Sequence, residues 1–102
     1  MIINIAENSG LSEKLQREII FFAKKNNIDK LVLFGSRARG DFSPRSDIDL
    51  AVWGGNGASF VTDIDEETNT LLMFDVVDFK YSVQIELKDS ILKEGFLLYE
   101  KV

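Results

Sequence analysis

Two short apolar runs and what lies between them constrain this chain most. Lys30–Phe34 (KLVLF) ends abruptly at Gly35-Ser36, and Asp47–Trp53 (DIDLAVW) opens on a pair of aspartates. Each run has the length and composition of a strand with a buried face. The intervening Gly35–Ser46 is polar and carries two glycines and the only proline, Pro44. Within Asp47–Trp53 the side chains alternate. Ile48, Leu50 and Val52 then anchor one face, and Asp47 and Asp49 project together from the other.

The rest of the chain reads around this pair. Met1–Ile5 is a weak strand or a disordered start. Ser12–Lys25 has helical spacing, with Leu11, Leu15, Ile19 and Phe22 on the buried side and Lys24 and Lys25 at the end where the helix dipole favours cations. Gly54–Gly57 is a loop, and Ala58–Asn69 a helix using Phe60, Ile64 and Leu71 for packing. Met73–Phe79 (MFDVVDF) is a third strand. Ser82–Lys93 is a helix with Val83, Leu87 and Ile91 on one face, and Phe96–Tyr99 a final edge strand. Phe21, Phe22, Phe34 and Phe79 are expected in the core. The fold class is α/β in the mixed, α+β sense: a small mixed sheet flanked by helices. With 102 residues, one domain spanning 1–102 is expected.

Composition removes several chemistries. The chain has no cysteine and no histidine, so zinc–thiolate sites, disulfides, cysteine nucleophiles and Ser-His triads are excluded. Acid–base or metal chemistry rests on the 17 carboxylates. A net charge of −5 argues against binding to a nucleic-acid backbone. No apolar run approaches the ~20 residues of a membrane span. The N-terminus lacks a basic start and long apolar core, so a cytoplasmic protein is expected.

Two carboxylates side by side repel each other unless a cation lies between them. Hard oxygen donors of this type suit Mg²⁺, which also takes phosphate oxygens. A Gly-Ser turn supplies the complementary element, because its backbone and hydroxyl can donate to a phosphate. Arg37, Arg39 and Arg45 are nearby cations able to neutralise a triphosphate, and Gly35, Ser36, Arg37 and Arg45 are taken as the nucleotide-binding candidates. A third carboxylate would complete a two-metal site. Asp75 and Asp78 are the candidates; being three apart they face opposite ways, and alternation does not choose between them. Trp53, on the carboxylate face, reads as a packing residue in preference to a base-stacking platform.

Gly35-Ser36, ten residues, then Asp47-x-Asp49 resembles the signature of the DNA polymerase β-like nucleotidyltransferase superfamily. The fuller string GSRARG…SDIDL, with DVVDF and KEGFLLYE, is similar to its minimal nucleotidyltransferase family over roughly Leu31–Glu100. The resemblance implies a palm-like fold, a triphosphate held at Gly35 and Ser36, and a pair of Mg²⁺ ions held by Asp47, Asp49 and Asp75. It places the third acid at Asp75, as metal ligand and base for the attacking hydroxyl. It implies ATP as substrate and an all-helical HEPN-domain partner, in a toxin–antitoxin pair in which AMP passes to a tyrosine of the toxin. The alternative is a non-catalytic antitoxin or binding subunit that masks the helical partner by contact. Transfer to a small molecule such as an aminoglycoside is disfavoured for want of a further substrate domain. A homo-oligomer is left open.

Overall fold

In the computed structural model, which describes residues 1–102, nine elements follow in order. They are β1 (Ile2–Ile3), α1 (Glu13–Lys25), β2 (Lys30–Phe34), α2 (Ser36–Arg39), β3 (Ile48–Trp53), α3 (Gly57–Glu67), β4 (Phe74–Asp78), α4 (Ile85–Glu94) and β5 (Phe96–Glu100).

Helix α1 begins where Ser12 caps it, its side chain accepting from the Leu15 amide at 3.1 Å. It stops at Asn26 and Asn27, the latter in the left-handed region at φ 58°. Its buried stripe is Gln16, Ile19, Ile20 and Ala23. Leu11 is also buried, and Leu15 and Phe22 pack on the core in part. The buried Gln16 amide closes a small network with the Ala6 backbone and the Leu11 carbonyl, tying the N-terminal segment to the helix. Asn26 donates to Asp63 of α3 at 2.9 Å and fixes the two helices side by side.

The five strands form one mixed sheet in the order β1-β5-β2-β3-β4. β2 and β3 pair antiparallel, with Phe34 opposite Asp49. α3 carries the chain across so that β4 lies parallel to β3, with Asp49 beside Asp75 and Val52 beside Asp78. One sheet face buries Leu31, Leu33, Ile48, Leu50, Val52 and Leu98 against α1 and α3, with Phe60 and Ile64 closing the core. The other face is narrower: Val32, Phe34 and Ala51 meet Ile91 of α4, with Trp53, Val77, Phe79 and Leu97 at its margin.

Four expectations are corrected. Phe96–Glu100 is an interior strand, paired with both β1 and β2; Leu97 and Leu98 are packed on opposite faces, which an edge strand does not need. Leu71 is fully exposed because α3 ends at Glu67, before the helical pattern reaches it. Phe21 is exposed, pointing away from the sheet beside the half-buried Phe22. In α4 only Ile91 is buried, because the helix crosses a small patch of sheet; Leu87 is 36% exposed and Val83 lies before the helix. No helix is long and apolar enough to cross a membrane.

Candidate active site

The site is built at one end of β2, β3 and β4, on the face that α4 covers only in part. β2 ends in Gly35, whose φ of 73° is a left-handed conformation that side chains resist. The absent side chain matters a second time: a Cβ here would run into the carboxylate of Asp49. Glycine thus permits both the turn and the contact between turn and acid.

The turn opens α2, a single helical turn closed by Gly40 in the left-handed conformation. The Gly35 carbonyl accepts from Ala38 and Arg39, each at 3.1 Å. The amides of Ser36 and Arg37, at the start of the turn, have no acceptor within it. The Ser36 hydroxyl has no hydrogen-bond partner in the protein. Donors at the turn are therefore free, and they stand beside the acid that β3 presents.

Asp49 is the best enclosed of the acids. Its pKa is raised from 3.8 to about 6, first by burial, then by the charges of Asp75 and Asp47, with Arg39 opposing. Asp47, just before β3, and Asp75 on β4 are both exposed. Their influence on Asp49 shows that the three acidic fields overlap. As the side chains stand, no three acidic groups are gathered closely enough to hold a metal ion between them. Like charges without a cation are expected to stand apart. The donor set, three carboxylates at one rim with one raised in pKa first by burial and then by its acidic neighbours, fits a hard divalent ion in its chemistry.

Strand register separates the two candidates for the third acid. Asp75 is the lateral neighbour of Asp49 and shares its face. Asp78 lies on the opposite face, where a Cβ on Gly57 would strike it, and its Oδ1 accepts from the Lys80 amide at 2.9 Å. Asp78 is thus occupied in ending β4 and seating the first turn of α3.

The arginines divide sharply. Arg37 as a phosphate contact is corrected: it is 2% exposed, and its guanidinium donates to the carbonyls of Ser9 (2.9 Å), Ser46 (3.1 Å) and Pro44 (3.2 Å). It lies over the Phe42 ring as well. Its role is to fasten the Asp41–Asp47 loop to the N-terminal segment, with burial lowering its pKa. Arg39 faces solvent at the end of α2, bonded to Asp41 at 3.2 Å and to Glu94 of α4 at 3.0 Å. Both acids raise its pKa. Glu94 had no signal in the sequence, since only the packing of α4 brings it here. Arg45 is exposed in the loop and makes no ion pair or hydrogen bond. Trp53 stacks on Phe79 with ring centroids 4.3 Å apart and lies under Lys30, so its faces are used in packing.

Comparison with known proteins decides what this rim belongs to. Residues 16–102 match the family described as Polymerase beta, Nucleotidyltransferase. The chain belongs to that nucleotidyltransferase family. A Methanocaldococcus jannaschii protein named "Putative protein adenylyltransferase MJ0604" is 32% identical over 99 residues, covering 85% of this chain and 97% of the relative. Among solved structures, a toxin–antitoxin complex with AMP-PNP superposes with a TM-score of 0.68 at 22% identity, over 84% of this chain and 73% of that one. A mutant of the MntA-HpeT toxin–antitoxin complex gives 0.67 at 20% identity, again over 84% and 73%. A Sulfolobus solfataricus protein described as "a putative nucleotidyltransferase" gives 0.57 at 23% identity, over 99% and 93%. At these identities the solved structures bear on the fold, and the fold is the nucleotidyltransferase one. The resemblance to minimal nucleotidyltransferases read from GSRARG…SDIDL stands, and this nucleotidyltransferase has its Gly-Ser turn and D-x-D strand end where that resemblance put them.

Proposed function

We propose that this nucleotidyltransferase transfers AMP from ATP to a hydroxyl of a partner protein, a tyrosine of a HEPN-domain toxin, and so acts in the cytoplasm as an antitoxin. The observation that carries the reading is the meeting of Gly35 with Asp49 and of Asp49 with Asp75 at one sheet rim. A polyphosphate needs donors and charge neutralisation and a hydroxyl needs a base, and the Gly35-Ser36 turn beside Asp49, with Asp75 as its lateral neighbour, supports that pairing.

In this reading the triphosphate lies along the Gly35-Ser36 turn, where the Ser36 hydroxyl and the turn amides donate to its oxygens. Arg45, unpaired in its loop, swings toward the phosphates. Asp47, Asp49 and Asp75 would hold Mg²⁺, which when bound would supply neutralisation of phosphate charge and a lowered pKa for the attacking hydroxyl. Asp75, the exposed acid at the strand edge, accepts the hydroxyl proton. The tyrosine oxygen bonds to the α-phosphorus, the bond from that phosphorus to its bridging oxygen breaks, and pyrophosphate departs with the electron pair. Asp49, half-buried against the turn, is the fixed member of the set, and most of the rate enhancement comes from positioning and electrostatics.

Support for a protein acceptor comes from the name of the Methanocaldococcus relative, and support for the antitoxin role from the toxin–antitoxin complexes that share the fold. The test is co-expression with the neighbouring toxin, followed by intact-mass measurement of the toxin. Wild-type protein should add one AMP to it, and Asp49→Asn none. Neutralisation by Asp49→Asn with the toxin unmodified would replace this reading with that of a binding subunit.

A further inference from the structure

We infer that the free edge of β4 is where the acceptor docks, as an extended segment that adds a sixth strand beside Asp75. The inference rests on the transferase reading above and names its acceptor surface.

β4 closes the sheet on one side and has β3 as its sole neighbour. The ladder between them fixes which backbone groups face outward. Ile48 donates to the Met73 carbonyl at 2.9 Å, and Phe79 donates to the Val52 carbonyl at 3.0 Å. In a parallel pair such bonds fall on alternate residues, so Met73, Asp75, Val77 and Phe79 turn inward. Phe74, Val76 and Asp78 therefore present N–H and C=O groups to the outside. The Asp78 carbonyl is taken by the Tyr81 amide at 3.1 Å, while Phe74 and Val76 keep both groups for a newcomer. No proline and no lysine lies within β4, and no irregularity in its pairing turns the edge aside. Proline, lysine and bulges are among the devices by which proteins blunt an edge; the charge present here, Asp75 and Asp78, still admits a cationic partner.

The chemistry beside the edge specifies what joins it. A strand added here has one residue lateral to Asp75, with its side chain on the Asp75 face. That position suits the reacting hydroxyl. The next residue points to the other face, where a groove of about 350 Å³ runs along the edge beneath α3. Val61, Val76, Val83 and Tyr81 line it, with Asp78 at its floor. An apolar side chain fits there. The chain's net charge of −5 and the two acids of β4 favour cationic flanks. The occupant is thus an extended acceptor segment carrying a hydroxyl residue next to an apolar one, with basic neighbours. Main-chain pairing gives such a segment its affinity, and the alternate side chains give it specificity.

The probe is a blocked synthetic pentapeptide, lysine-valine-tyrosine-valine-lysine, titrated to millimolar concentration into isotope-labelled protein with ATP and Mg²⁺. Amide resonances and hydrogen exchange are followed alongside the peptide mass. The Val76 amide is expected to shift and to exchange at least about tenfold more slowly, and the peptide to gain AMP. Val76→Pro removes an outward N–H, at a place where an edge strand tolerates proline, and also replaces a half-buried side chain that packs on the core, so fold and ATP binding of the variant are checked first. With the variant folded and binding ATP as before, transfer to the peptide should drop at least about tenfold. Should Val76→Pro not fold, the exchange measurement on the unaltered protein decides alone. Transfer to the peptide with the Val76 amide unchanged, or no effect of the peptide at all, overturns the docking edge. Peptide held at Val76 with ATP bound and no AMP transferred keeps the edge and sinks the transferase reading.

Discussion

Replacing Asp49 by asparagine should make the metal-free domain more stable while removing its activity. Asp49 titrates near 6 in the folded chain against 3.8 for an ordinary aspartate, chiefly through burial and then through Asp75 and Asp47. Below pH 3.8 the carboxyl is protonated in both folded and unfolded chains and costs nothing. Between 3.8 and about 6 the folded chain holds a proton that the unfolded chain has released, so stability falls as pH rises. Above about 6 the loss is complete, and the folded domain carries a charge it disfavours. At ~1.4 kcal/mol for each pKa unit, the ceiling is roughly 3 kcal/mol. Asp49 is only partly enclosed and solvent relaxes around it, which brings the expected figure to about 1–2 kcal/mol. In a domain of this size each kcal/mol moves the melting temperature by about 4–8 °C. The assay is urea and thermal unfolding of wild type and Asp49→Asn in a chelator, between pH 4 and 8. The variant should match wild type near pH 4 and exceed it increasingly up to pH 7. A gap that is constant with pH, or a variant less stable at pH 7, would refute the electrostatic account of this rim.

Further perturbations have definite outcomes. Mg²⁺ should raise the melting temperature of wild type at pH 7.5, since it binds the folded chain alone, and leave Asp49→Asn unmoved; equal shifts in both would place the ion elsewhere. Gly35→Ala forces a side chain into left-handed backbone and onto the Asp49 carboxylate, so a loss of about 1–3 kcal/mol and of AMP transfer is expected in unfolding and mass assays. Arg37→Met leaves the carbonyls of Ser9, Pro44 and Ser46 without their donor, and chemical unfolding should register a loss of about 2–4 kcal/mol. Arg37 touches no phosphate in this account. Variant protein that stays folded should therefore bind ATP with near-normal affinity by calorimetry.

The rim was legible in the sequence because its parts obey local rules. Asp49 follows from strand alternation, Asp47 from its place at the mouth of the same strand, and Gly35 and Ser36 from an apolar run that stops at glycine. Asp75 was open on alternation alone, and the resemblance put the third acid there. Register then shows it beside Asp49, with Asp78 turned away. What could not be read depends on long-range packing. The run FLLY was apolar on both parities, a sign of a strand covered on two faces, yet its position at the chain's end suggested an edge. The α4 residues carried a helical pattern whose burial was set by how little sheet remained for that helix to cover.

The arginines show the limit most clearly. Arg37 and Arg39 stand two apart in GSRARG, equally cationic and equally near the turn. On a helical turn, two residues of separation point side chains to different sides. One side meets Ser9, Pro44 and Ser46, whose carbonyls need donors; the other meets solvent, Asp41 and Glu94. Which arginine takes which side depends on where the N-terminal segment lies, and Gln16 in α1 determines that by holding the Ala6 backbone. The Gly35-Ser36 turn is therefore braced from behind by a glutamine 20 residues before Ser36 in the chain. A charge that looked available for ATP instead holds the Asp41–Asp47 loop to the N-terminal segment.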